Sequence, residues 1–249
     1  MRLIPDSLIK KEKDDNLMFE SSRESRIKDF KFGIKSALPI ILGYLPIGTA
    51  YGILAVNKGI KPVYAVFMSV FVFAGSSQLV ALEMIASNAA ILAIVAMTFL
   101  VNLRHVLLSA SLSLHLKNLP SFWYPILGFF ITDEAFAVAM AEFDNVDHKK
   151  EYYLALGIFS YLGWVFSSAF GAFLSEFINF KSGGALDFVL PAMFIVLLLI
   201  QISGRKDLFV AFTAAVLSLF FAVGIGGSWN IILAAGLAAL LGVYMDGGE

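Results

Sequence analysis

VYAVFMSVFVFAGSSQLVALEMIAS (residues 63–87) is followed, after a single asparagine, by AAILAIVAMTFLVNLRHVLLSASLSL (89–114). Across both runs the only charged side chains are Glu83 and Arg104. Each run exceeds the roughly 20 apolar residues that a helix needs to cross a bilayer. Lipid offers the backbone no hydrogen-bond partner, so runs of this kind fold as helices, which satisfy their own amides and carbonyls. The reading is an all-α, polytopic helical membrane protein.

The pattern repeats on both sides of this stretch. Apolar spans are expected at Ser36–Val56, Val63–Ser87, Ala89–Leu114, Trp123–Ala141, Tyr153–Ile178, Phe188–Ser203, Leu208–Gly224 and Trp229–Tyr244. The last three are short and closely spaced, so the count is about seven or eight. Trp123, Tyr124, Tyr152, Tyr153, Trp229 and Tyr244 stand at span ends, where aromatic side chains anchor a helix at the membrane interface. Pro39 and Pro46 should kink or break the first span. Its glycines (Gly43, Gly48, Gly52) loosely match those of the fifth (Gly157, Gly163, Gly171). Such a match arises from an internal repeat or from close helix packing alone.

Composition agrees. The chain is 59% hydrophobic and 15% charged, with mean hydropathy +0.83. Soluble proteins run nearer 45–50% apolar and about 25% charged. A net charge of −1 gives nucleic acid nothing to bind. The lack of cysteine excludes disulfides, cysteine-zinc sites and iron–sulfur clusters. Nothing in the sequence points to a metal or another cofactor.

Two regions are expected: a charged arm, 1–35, and a transmembrane bundle, 36–246. The arm is too charged for a signal peptide. It reads as a solvated tail or as a segment with an amphipathic helix near Phe30–Lys35. Nine of the 18 basic residues lie in it. With the N-terminus cytoplasmic and eight spans, Lys149, Lys150, Arg205 and Lys206 also fall inside. Only Lys58, Lys61, Lys117 and Lys181 fall outside, as the excess of basic residues on cytoplasmic loops requires. The location expected is the cytoplasmic membrane.

Polar residues within spans are costly in lipid and point to cavities or partners. They cluster in three places. In FAGSSQ (73–78), Gly75 can close one half-helix and Ser76 or Ser77 can cap the next. A helix broken at mid-membrane leaves a free N-terminus that attracts an anionic substrate group. The alternative for Ser76, Ser77 and Gln78 is a small-residue packing face. In NLRH (102–105), Thr98, Asn102, His105, Ser109 and Ser113 form one stripe, and Arg104, Ser111 and His115 form another. Arg104 needs a carboxylate partner or a route to the interface; His105 reads as structural or titrating. In TDE (132–134), Asp133 and Glu134 lie about 100° apart on a helix, so they do not readily share a partner. One can pair with Arg104 while the other titrates; alternatively Thr132 or Asp133 caps a further half-helix. Thr132, Asp133 and Glu134 complete the candidate set for substrate binding or coupling, and no residue is assigned a catalytic role.

GYLPIGTAYG (43–52), MSVFVFAGSSQ (68–78), FLVNLRH (99–105), FFITDEAFA (129–137) and LDFVLPAMF (186–194), in that order, resemble the AzlC family of branched-chain amino acid permeases. The resemblance covers the chain from about residue 30. It implies efflux of leucine, isoleucine, valine or related compounds, driven by the proton gradient. It also implies a small integral membrane partner of the AzlD type. The long charged arm departs from the family pattern. Two other functions are compatible with polar groups inside the spans. A channel for a small solute needs the same polar interior. An intramembrane hydrolase using Ser76 or Ser77 with His105 is chemically possible, but no GxSxG elbow is present. No HExxH or Walker motif occurs either.

Overall fold

The computed structural model describes residues 6–117, 119–177, 195, 198–199, 202, 204–224 and 229–246, with side chains at those of 22–223 and 233–245. The expected sixth span, Phe188–Ser203, falls almost wholly outside them. All regular elements among the described residues are helical. They are α1 (Asp6–Asn57), α2 (Pro62–Phe71), α3 (Gly75–Ala86), α4 (Ile91–Asn102), α5 (Arg104–His115), α6 (Trp123–Phe129), α7 (Asp133–Glu142), α8 (Lys149–Phe177), α9 (Arg205–Gly224) and α10 (Trp229–Asp246), with a 3-10 turn at Phe143–Asn145. Among the described residues, four stretches are long and apolar enough to cross a membrane: Ser22–Asn57, Ile91–His115, Lys149–Phe177 and Arg205–Val223. Pro62–Phe71 and Leu233–Met245 are shorter apolar helices.

Pro39 and Pro46 do not break the first span, because α1 runs through both. The chain does divide at the second of them. Of the described residues, one compact unit takes those up to Pro46 and His105–Phe166; the other takes Ile47–Arg104 and those from Ser167 onward.

In the first unit, α1 and α8 pack in parallel. Gly33 lies against the Tyr152 carbonyl and Ala155, and Gly163 lies against Ile41. The arm is part of this contact. Asp29, 5% exposed, accepts the His148 amide at 2.8 Å and so caps the N-terminus of α8 from a neighbouring helix. The segment read as a solvated tail is helical here because that buried carboxylate and Gly33 tie it down. Asp29→Ala should cost about 1.5–3 kcal/mol, the usual worth of a hydrogen bond to a charged group. Thermal unfolding in detergent checks this, with Asp29→Asn losing less because it keeps an acceptor. Phe143 and Leu127, together with Tyr152 and Tyr153, fill the unit's interior.

In the second unit, α1 and α8 again run parallel, now backbone against backbone. A Cβ on Gly48 would run into Ser167, one on Gly52 into the Ser168 carbonyl and Ala172, and one on Gly171 into Thr49. The matching glycines of the first and fifth spans are thereby accounted for as contact residues. Gly43 is the exception, since nothing lies within 4 Å of its added Cβ. Tyr51, Leu54, Ala55, Ala65, Leu79, Leu82 and Ala172 form the core. Helix α1 ends in a Schellman motif: Ile60 N–H reaches the Ala55 carbonyl, Gly59 N–H reaches Val56, and Gly59 has φ +86°. Helix α3 ends the same way, with Asn88 at φ +54° in the glycine's place and Ala89 N–H on Met84. These stops, with Pro62 opening α2, keep the connections short.

Candidate functional site

The three polar clusters of the sequence fall at three interruptions of the spans. Their residues divide between the two units. Ser76, Ser77, Gln78, Asn102 and Arg104 belong to the second; His105, Thr132, Asp133 and Glu134 belong to the first.

The second span is two half-helices, as FAGSSQ suggests, but the break lies earlier than expected. Gly75 opens α3 rather than closing α2, and residues 72–74 form the gap. Ala74 occupies the N-cap position with no side-chain cap, and no acid lies in the first turn. Ser76, Ser77 and Gln78 are all buried. Each is held from outside α3. Gln78 Nε2 donates to Ser69 Oγ on α2 at 3.0 Å, which ties the two half-helices together across the gap. Ser77 donates to the Ala74 carbonyl at 3.0 Å and accepts from Asn102 Nδ2 at 3.2 Å. Ser76 Oγ accepts from Arg104 Nη2 at 3.0 Å. Asn102 and Arg104 flank Leu103, the single residue that separates α4 from α5. The guanidinium thus stands at the positive end of a buried half-helix. An uncapped helix start beside an arginine is an arrangement that favours an anion.

Serine chemistry is disfavoured by the same contacts. The Ser77 hydroxyl hydrogen is held by a backbone carbonyl, and Ser76 is paired with a cation that cannot act as a base.

In the first unit, the fourth span is also interrupted, at Phe130–Thr132. Thr132 is the N-cap of α7, and its Oγ1 accepts the Ala135 amide at 3.2 Å. Asp133 and Glu134 occupy the first turn. This helix start differs from that of α3 in kind. Two carboxylates and a cap already answer its positive end, so it does not invite a further anion. The Glu134 partner in the structure is a phenol: Tyr44 Oη lies 2.9 Å from Glu134 Oε2 and 3.0 Å from Thr132 Oγ1. His105 is half-buried on α5.

The two polar stripes expected on the third span are partly self-satisfied. Thr98 donates to the Ile94 carbonyl at 2.9 Å and Ser113 to Ala110 at 2.7 Å. Hydroxyls on a helix return to the preceding turn when no better acceptor is near.

Several residues escaped the sequence reading. Tyr44 and Tyr51 are both buried, and they lie seven apart on one face of the first span. Tyr51 donates to the Ala65 carbonyl at 3.3 Å and stands beside Gln78 and Ser69. Lys58 and Glu83 pair at 2.9 Å. Two tyrosines at heptad spacing in a glycine-rich span were the available signal.

The profile of the family described as "AzlC protein" matches residues 39–178, which takes in both helix breaks and the α4–α5 junction. The chain belongs to the AzlC family. Among curated relatives, the branched-chain amino acid transport protein AzlC of Bacillus subtilis is 31% identical over 86% of this chain and 83% of its own. The inner membrane protein YgaZ of Escherichia coli is 31% identical over 72% of this chain and 76% of its own. An uncharacterized membrane protein of Helicobacter pylori is 32% identical over 70% and 76%. No solved structure matches the chain. Every site residue described above lies inside the matched segment, whereas the capping Asp29 lies before it. As an AzlC-family chain with four stretches among the described residues long and apolar enough to span, it is a membrane protein.

Proposed function

We propose that this chain is the large subunit of a secondary carrier for branched-chain or similar hydrophobic amino acids. It works in the cytoplasmic membrane with its N-terminus inside, exports its substrate, couples export to protons, and acts with a small AzlD-type membrane subunit. One observation carries the reading. The buried, uncapped start of α3 meets the Arg104 guanidinium at Ser76. That arrangement suits the carboxylate of a zwitterion. The carbonyls that end α2 across the gap supply a negative counterpart for the ammonium, as half-helix C-termini do. The name of the Bacillus subtilis relative supports the substrate class. Glu134, and Asp133 beside it, are the proposed coupling groups, because a carboxylate on a helix break can exchange protons while the substrate site changes sides.

The test is leucine, isoleucine and valine content in cells lacking the gene, with and without the small partner restored. The expected result is accumulation in the deletion, relieved only when both chains are present. Unchanged pools, or full relief by the large chain alone with an inactive partner, would overturn the corresponding part. In reconstituted vesicles, leucine flux should saturate and show counterflow; a conductance far above carrier turnover would mean a channel.

A further inference from the structure

Tyr44 presents a hydrogen-bonding conflict whose resolution has a functional consequence. Its hydroxyl is within 3.0 Å of Thr132 Oγ1 and 2.9 Å of Glu134 Oε2. A phenol has one hydrogen, and it cannot be given to both. An ionised carboxylate only accepts, and it is the stronger acceptor. With Glu134 ionised, the phenol hydrogen therefore goes to Oε2. The Thr132 hydroxyl must then donate to the phenol oxygen while its own oxygen keeps the Ala135 amide. With Glu134 protonated the order reverses. The carboxyl donates to Tyr44, Tyr44 donates to Thr132 Oγ1, and the Thr132 hydrogen is released from the phenol. One proton enters at Glu134; the two hydrogen bonds of Tyr44 reverse direction, and no other covalent bond is made or broken.

We propose that Tyr44 is a positioning residue that reads the protonation state of Glu134 and transmits it to the Thr132 cap at the break before α7. This rests on the reading of Glu134 as a coupling group. The geometry is held in place. Tyr44 is 6% exposed, and its ring meets Trp164 of α8 edge-on at 5.3 Å. The charged groups acting on the phenol are Glu134 and Asp133, both on α7; α8 presents the uncharged Trp164. Tyr44 lies two residues before Pro46, which cannot give the Leu42 carbonyl its usual amide. The relay thus joins a helix break on one side to a weakened turn of α1 on the other.

The experiment uses the full chain in vesicles and follows the Glu134 carboxyl by infrared difference spectroscopy, the band being assigned by its loss in Glu134→Gln. In Tyr44→Phe, the Glu134 carboxyl band should change at higher pH than in the parent, because the hydrogen bond lost from the ionised form is stronger than the one lost from the protonated form. Thr132→Ser, which keeps both hydroxyl functions, should titrate as the parent does. An unshifted midpoint in Tyr44→Phe would overturn the proposal. If Tyr44→Phe fails to insert, the parent's own tyrosine C–OH band serves. It should change across the Glu134 titration and cease to change in Glu134→Gln; a band that ignores Glu134 sinks the relay. Leucine flux against pH separates the two levels. A shifted carboxyl with pH-independent flux leaves the relay standing and removes the coupling role of Glu134.

Discussion

Arg104→Ala is expected to cut carrier-mediated leucine flux by about 100-fold while leaving the protein folded and inserted. A charge-assisted hydrogen bond in a partly desolvated site is worth about 1.5–3 kcal/mol, and ten-fold in rate corresponds to about 1.4 kcal/mol. Arg104 bonds Ser76 at 3.0 Å, at the first turn of α3. Its loss removes both the cation proposed for the carboxylate and a tie on the buried helix start. Arg104→Lys should recover only part of the flux, because an ammonium keeps the charge without the planar fork. Ser76→Ala should have a smaller effect, since the guanidinium and the α3 amides remain. Leucine counterflow in vesicles at matched protein content is the measurement. Flux within two-fold of the parent in Arg104→Ala would place the carboxylate elsewhere.

Gly171→Val is expected to abolish accumulation of folded protein. A Cβ at this position would meet the Thr49 carbonyl oxygen and sit 2.7 Å from that residue's Cα and carbonyl carbon. Backbone atoms cannot rotate away as a side chain can. The helices would have to separate along the whole contact, undoing the packing that Gly48 and Gly52 also depend on. Overpacking typically costs about 1–3 kcal/mol, and here the rigid neighbour puts the cost at the upper end or beyond. Gly43→Ala and Gly236→Ala are the controls, because an added Cβ at either has nothing within 4 Å. Size-exclusion profiles and thermal unfolding in detergent distinguish the two classes. A Gly171→Val protein as stable as the controls would mean that the two helices are not pressed together as described.

These expectations rest on features that the sequence disclosed unevenly. The spans were legible because hydrophobicity at membrane scale leaves a helix no competitor. The break in FAGSSQ was legible as an event but not as a position. Gly75 looks like a C-cap, yet with no Cβ it serves equally well as the first residue of a helix pressed among buried groups. A cap at Thr132 or Asp133 was legible as one alternative, since threonine before two acids is an ordinary helix start; which of the two caps was not. The hydroxyls at 98 and 113 misled, because a polar stripe looks the same whether it faces a cavity or turns back on its own carbonyls. Asp29 was hidden in a charged arm, where nothing local distinguishes a buried acid from its solvated neighbours. Tyr44 was hidden for the opposite reason: within a span, tyrosine reads as bulk.

The seam between α1 and α8 has a mechanical meaning. Within each unit, where glycine lies on backbone (Gly33 on Tyr152 in one, Gly52 on Ser168 and Gly171 on Thr49 in the other), neither helix can slide past the other by a fraction of a residue, so the two move together there. Motion during a transport cycle is then expected where helices are interrupted or weakened, at residues 72–74, 103 and 130–132 and at the turn of α1 before Pro46. A spectroscopist can see this directly, because the cysteine-free chain accepts labels without first being stripped of reactive thiols. Paired spin labels at Leu38 and Leu162, both exposed within one unit, should report the same distance with and without leucine. They would provide a fixed ruler against which the hinges are measured.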